Sequence, residues 1–121
     1  MNLTGEQIEF LTANENVILA TCAQNQPRAI MVVPSLISAE QIILSNIQME
    51  VSDKNIKANP NVFLVSYNRD CSKWLKISGE AAVCAEGHLF EQVKKLEKER
   101  CGLDVREIIV VTYKSAQSGE E

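Results

Sequence analysis

Pro34 lies inside a β-rich segment and restricts how this chain can fold. The segment from Arg28 to Ile37 is rich in Ala, Ile, Met and Val, and it follows Val17 to Ala23 after the turn Asn25-Gln26-Pro27. Two such runs joined by a turn predict a β-hairpin. Because proline cannot donate to a neighbouring strand, the second strand must be an edge, an end or a bulge at Pro34. Backbone groups near Pro34 are then free to bind something other than a strand.

The remaining segments extend this pattern into a sheet with three helices. A capping box in Thr4 to Gln7 predicts a first helix that ends near Asn14, and the spacing of apolar residues predicts a last helix that stops at Gly102. Gly79 predicts a bend or bulge in a long strand. The further predicted strands are Gln41 to Ile47, Val62 to Tyr67, Trp74 to Ala85 and Val105 to Lys114, the last with Ile108 to Val111 buried on both sides.

Six strands in meander order, with helices between only some of them, predict a small antiparallel β-barrel, because closure removes exposed edges. The chain has 121 residues, of which 45% are hydrophobic, so we expect a single domain over 1–121, with 115–121 as a polar tail.

Charge and composition exclude several classes of function. A formal net charge of -4 argues against nucleic acid as a partner, since backbone binding needs clustered Lys and Arg. No apolar run is long enough to span a bilayer, and Met1 to Glu9 does not resemble a signal peptide. We therefore expect a cytoplasmic protein that does not bind membranes.

The cysteines and the single histidine do not predict chemistry of their own. Four widely spaced cysteines and His88 make no zinc pattern, so no metal site is expected. We expect Cys71 to be exposed in a polar turn and the other three to be buried thiols. No Ser/His/Asp, phosphate-loop or Rossmann motif is present, so no catalytic side chain is assigned and any chemistry must come from a cofactor.

The stretch from Ile42 to Pro60 is the best candidate for a binding site. A β-rich run is followed by Ser52, which we predict to be the N-cap of a short helix that ends at Asn59-Pro60. Free N–H groups and the helix dipole at such a start favour an anion such as a phosphate. The alternative is that Ser52 caps its own helix and binds nothing.

The order of these elements and several short motifs resemble the FMN-binding split-barrel family, the pyridoxamine 5'-phosphate oxidase-like flavoproteins. The similarity extends from about Val17 to Tyr113. Its motifs are Leu19-Ala20-Thr21, Pro27-Arg28-Ala29-Ile30, Asn55-Ile56-Lys57-Ala58-Asn59-Pro60-Asn61-Val62 and Ile77-Ser78-Gly79-Glu80-Ala81.

The resemblance implies a mainly β fold, a six-stranded antiparallel split β-barrel, in a homodimer that holds one FMN per subunit at the interface. It implies a small oxidoreductase that passes electrons or hydride to a small redox substrate or an electron-transfer partner. Carried onto this chain, it nominates as cofactor-binding residues Met31, Val32, Val33, Ser45, Asn46, Ile47, Gln48, Met49, Ser52, Lys54 and Trp74, the last as a residue that could lie over the partner subunit's flavin.

Two alternatives remain open at this point. The family commonly has a basic residue just before the Ser or Thr, where this chain has Glu50 and Val51, so a split barrel that has lost its cofactor and acts as a binding module is the second hypothesis. A deazaflavin or heme could also replace FMN in the same architecture.

Overall fold

The computed structural model describes residues 1–14, 16–46 and 50–120, and within them it places three helices and seven strands. In chain order these are α1 Gly5–Ala13, β1 Val17–Ala23, β2 Gln26–Val32, β3 Pro34–Ile37, β4 Gln41–Asn46, α2 Glu50–Ala58, β5 Asn61–Tyr67, β6 Lys73–Cys84, α3 His88–Cys101 and β7 Glu107–Glu120.

All seven strands belong to one antiparallel sheet, in the order β2-β1-β5-β6-β7-β4-β3. Its two edge strands, β2 and β3, are consecutive in the chain and only Val33 separates them. The sheet must therefore curl until its edges meet, which gives the predicted split barrel. The meander order predicted for all the strands is wrong, because β4 pairs with β7 and not with the following strand β5. The predicted second strand is two strands, β2 and β3, which pair with β1 and β4 in turn. Counted as one bent strand, they restore the predicted six.

The β1–β2 hairpin forms around a tight two-residue turn. Gln24 and Asn25 both have positive φ, at 53° and 62°, as a type I′ turn requires. The hairpin itself is confirmed, but its turn lies one residue earlier than predicted. Gln26 and Pro27 already belong to β2, where Pro27 is tolerated because β2 is an edge strand.

Alternating side chains fill the interior of the barrel. Leu19, Leu44, Leu64, Ile77 and Ile109 are each at most 1% exposed, and they pack in one cluster that also includes Leu11 of α1. Burial of this many large aliphatic side chains is the main stabilising term, at about 1.5–3 kcal/mol for each.

A second cluster packs α3 onto the outside of the sheet. It contains Phe90 and Val93 of α3 together with Ile43 and Ile108 of the strands. Since Ile108 and Ile109 enter different clusters, the prediction that β7 is buried on both sides here is confirmed. The helix ends at Gly102, which adopts the left-handed conformation expected of a C-terminal stop.

The long β6–β7 ribbon corrects one prediction and confirms another. The register shifts between Ser78 and Gly79, so the predicted bulge is present, and a side chain at 79 would meet the Thr112 carbonyl at 2.7 Å. The predicted polar tail is wrong, because Ser115 to Glu120 continue β7 and pair with β6 as far as Lys73. Polar residues suit this part of β7 because β4 pairs with it only up to Thr112.

The N-terminal helix closes one end of the barrel. Thr4 accepts a hydrogen bond from the Gln7 N–H at 3.2 Å and the Gln7 side chain accepts one from the Thr4 N–H at 2.9 Å, so the predicted capping box is confirmed.

None of the helices in the described residues is both long and apolar enough to cross a membrane.

Candidate functional site

The barrel opens where β4 extends beyond β3. Pro34 pairs with Leu44, whereas Ser45 and Asn46 pair only with β7 among the described strands. On the other side of the opening, β2 pairs with β1 and is otherwise an edge strand. The free edge of β2 therefore lies where β4 extends beyond β3. We call this place the split.

Apolar side chains beside the split are unusually exposed. Met31 is 67% exposed and Val33 is 48% exposed, whereas Val32 points the other way and packs against the core. Exposed apolar side chains that adjoin one another are typical of surfaces that bind a ligand or a partner. The structure thus places Met31, Val32 and Val33 at the free edge, and their contact with a cofactor stays a prediction.

A pair of hydroxyl groups links β3 and β4 on one side of the split. The Ser45 hydroxyl is hydrogen-bonded to that of Ser35, which is buried at 8% exposure. Ser35 lies at the register shift between Pro34 and Leu36, so it is displaced from the regular ladder. Ser35 was missed by the sequence reasoning, although its position directly after Pro34 was a signal that it lay at a bulge.

The short helix α2 begins near the end of β4. Four residue steps separate Asn46 from Glu50, so the two are at most about 14 Å apart. The helix starts at Glu50, so the prediction that Ser52 is its N-cap is wrong. Ser52 instead lies in the first turn, whose backbone N–H groups have no acceptor within the helix.

Two contacts hold α2 across the end of the barrel. Ile56 is 2% exposed within the core cluster, and the Asn55 side-chain amide donates to the buried Thr21 hydroxyl at 3.1 Å. Lys54 lies on the same helix with its side chain exposed to solvent. These contacts fix the direction of α2 relative to the split.

Ile47, Gln48 and Met49 lie outside the described residues, and so do the side chains of Asn46 and Ser52.

Within one chain, Trp74 is not brought to the split. It lies at the start of β6 beside Tyr67 of β5, and its ring covers Gly119 so closely that a side chain there would approach the indole Nε1 to 2.2 Å. It lines a separate cavity of about 600 Å³ together with Phe10 and Lys73. Trp74 could join the other nominated residues only across an interface between two chains.

The outward residues of β2, β1 and β5 form a continuous apolar surface, which we call the outer face. Pairing places Ile18 between Met31 and Val65, and Ala20 between Ala29 and Phe63. Phe63 is 38% exposed, so the face is open to solvent in a single chain. The sequence could have identified this face, because the inward residues Val17, Leu19 and Leu64 are aliphatic and most of their outward neighbours are also apolar.

Tyr113 of β7 is buried and has a structural role. Burial raises the pKa of Tyr113 well above its ordinary value, and its hydroxyl donates to the Ser38 carbonyl at 3.1 Å.

Among the described residues, no three of His, Cys, Asp and Glu are grouped so as to hold a metal ion. The cysteine prediction needs correction, because Cys101 is exposed and Cys22 and Cys84 are half-buried, while Cys71 is exposed as expected.

The curled sheet and its split define a split-barrel protein, and comparison with known proteins identifies the family. Residues 3–118 match the family model described as pyridoxamine 5'-phosphate oxidase. The chain belongs to this family. A search of curated protein sequences gave no significant match.

Solved structures share the fold at low sequence identity. HupZ of Group A Streptococcus has a TM-score of 0.88 at 19% identity, over 98% of this chain and 95% of that chain. An FMN-binding protein of Syntrophomonas wolfei has a TM-score of 0.78 at 16% identity, over 94% and 84%. An F420 reductase has a TM-score of 0.71 at 20% identity, over 90% and 94%. At these identities the likeness concerns the fold alone.

Proposed function

We propose that this protein binds FMN at the split and acts as a small oxidoreductase that transfers electrons or hydride through the flavin. The observation that carries the proposal is the free β2 edge, with exposed Met31 and Val33, opposite the end of β4 and the start of α2. Family membership and the FMN-binding neighbour support the choice of cofactor.

The residues at the split suit the parts of FMN. The exposed apolar surfaces of Met31 and Val33 suit a planar ring, and the free backbone groups of the β2 edge suit the polar side of that ring. The first turn of α2 offers N–H groups and the positive end of the helix dipole to a phosphate, with Ser52 in that turn. Lys54 on the same helix supplies a nearby positive charge.

The protein's own contribution is position and environment. FMN, when bound, supplies the capacity to accept and release a hydride or single electrons. Val32, which packs against the core, fixes the β2 edge, and the Ser35–Ser45 hydrogen bond fixes the end of β4 to β3. Met31 and Val33 exclude water from a ring that lies against them, which strengthens polar contacts at its edge.

The proposal includes a homodimer. The outer face leaves Met31 and Phe63 in water in a single chain, and a second copy would cover them. A two-fold interface repeats every contact, so a site formed across it occurs twice. Such an interface would also allow Trp74 to contact the partner subunit's flavin.

An absorbance spectrum of the purified protein tests the cofactor. FMN gives flavin bands, whereas a deazaflavin or heme gives a different spectrum, so the spectrum also distinguishes these alternatives. Protein without flavin bands that takes up no FMN on titration would refute the proposal.

The second candidate function is a split barrel without cofactor that serves as a binding module. It is favoured by Glu50 and Val51, which stand where the family commonly has a basic residue before the Ser or Thr. Glu50 would repel a phosphate nearby. Val51→Lys separates the two candidates, because added charge strengthens FMN binding if the site persists and has no effect if the pocket is filled.

A further inference from the structure

A second groove lies next to the split, between α1, β3 and α3. It has a volume of about 300 Å³, and Val33 belongs both to its lining and to the apolar surface proposed to face the flavin. The other lining residues that matter here are Leu11, Thr12, Ser35, Leu36 and Arg100. A molecule in this groove would therefore lie beside the proposed flavin.

Arg100 is the one ionisable residue among those that line the groove in the described chain. Its side chain is 48% exposed, and one terminal nitrogen lies 2.8 Å from Oε1 of Glu97, whose side chain is 5% exposed. This contact is an ion pair without hydrogen-bond geometry. Because guanidinium has five N–H donors in a fixed plane, Glu97 orients the group and leaves donors for a ligand.

The Glu97–Arg100 pair also limits the charge that the groove accepts. One carboxylate already balances the guanidinium, and the other lining residues are neutral, so the groove has a net charge near zero. Glu97 is buried behind Arg100, 2.8 Å from its guanidinium, so each further negative charge on a ligand bound to Arg100 adds repulsion from Glu97. A carboxylate with one charge is therefore favoured over a phosphate with nearly two.

We infer that this groove binds the carboxylate of a small apolar carboxylic acid, through Arg100, with the apolar part against Val33 and Leu36. Apolar walls with one oriented polar group are typical of small-molecule sites. Because a molecule in the groove lies beside the proposed flavin, we also assign this acid as the redox substrate. That assignment rests on the proposed function, whereas binding of the acid to the groove does not.

Two probes with the same aromatic ring test the inference, namely benzoate and phenyl phosphate. Each is titrated at neutral pH and constant ionic strength into the protein as purified, without added flavin, and backbone amide NMR shifts of Thr12, Ser35 and Leu36 are followed. We expect saturable shifts at these residues and tighter binding of benzoate than of phenyl phosphate.

Variants of the pair give changes of opposite sign. Arg100→Gln should weaken benzoate roughly tenfold or more, because a charge-assisted hydrogen bond is lost. Glu97→Gln keeps the guanidinium and removes the repulsion, so phenyl phosphate should bind at least about fivefold more tightly and gain more than benzoate does. Lys98→Gln on the same helix removes an equal charge outside the groove and should change either affinity by less than about twofold.

Arg100→Gln leaves Glu97 buried without its cation and could impair folding. The double variant Glu97→Gln with Arg100→Gln avoids an unpaired charge and should also lose benzoate binding. Equal weakening by Arg100→Gln and Lys98→Gln, tighter wild-type binding of phenyl phosphate, or no saturable binding of benzoate would overturn the inference. Since no flavin is added, these results do not depend on whether FMN binds at the split.

Discussion

Met31→Ala should weaken the proposed homodimer strongly and leave the fold of one chain nearly unchanged. Complete burial of a Met side chain is worth about 1.5–3 kcal/mol. Met31 is 67% exposed in the single chain, so an interface that covers it gains about two thirds of that amount, or about 1–2 kcal/mol per subunit. The two-fold axis doubles this to about 2–4 kcal/mol, which raises the dimer dissociation constant between about 30-fold and about 10³-fold.

Sedimentation velocity over a dilution series measures that dissociation constant. Leu103→Ala is the matched control, because Leu103 is a 39% exposed apolar residue that follows α3 and is not part of the outer face. Denaturant unfolding of the Met31→Ala monomer should stay within about 0.5 kcal/mol of the wild type, as expected for an exposed side chain. Equal dissociation constants for the wild type and both variants would show that the outer face is not the interface.

Two further changes test the barrel itself. Gly79→Ala should destabilise the chain by about 1–3 kcal/mol in denaturant unfolding, because its methyl group meets the Thr112 carbonyl, whereas Gly5→Ala has open space and should not destabilise it. Tyr113→Phe should cost about 0.5–1.5 kcal/mol at pH 7 through the lost bond to Ser38. Because burial raises the Tyr113 pKa, its contribution is complete below the ordinary value of 10.0 and is lost as pH rises above it, so unfolding of Tyr113→Phe should depend less on pH there; equal slopes would contradict this.

The sequence predicted those parts of the fold that depend on local chemistry. The Thr4–Gln7 capping box, the bulge at Gly79 and the stop at Gly102 each rest on one or two residues with a specific backbone role, and all three are present. The apolar run at Ile108 to Val111 likewise predicted burial on both faces of β7, which the two clusters confirm.

The errors occur where distant pairing overrides local signals. The residues 115–120 are polar and would form a tail by composition, but β6 is long enough to pair with them. Pro34 signalled an interruption, yet only the pairing of β3 with β4 shows that the chain passes there from one sheet edge to the other. Ser52 has good capping chemistry, but the helix begins two residues earlier at Glu50, so side-chain preference alone did not fix its start.

The candidate site was predictable to a similar extent. The family resemblance nominated Met31 to Val33, and the structure places them at the edge of the sheet beside the split, whereas their contact with a cofactor stays a prediction. Ser35 and Arg100 depend on elements that are adjacent only in the folded chain, so no sequence spacing could join them.

Titration of the purified protein with FMN, followed by flavin fluorescence and absorbance, tests the central proposal most directly. The account predicts saturation at one FMN per subunit, with two equivalent sites per dimer, and weaker binding in Met31→Ala, which removes both ring and interface contacts. Saturation is predicted to be sharper in Val51→Lys. Absence of saturable FMN uptake by both the wild type and Val51→Lys would contradict a flavin site at the split.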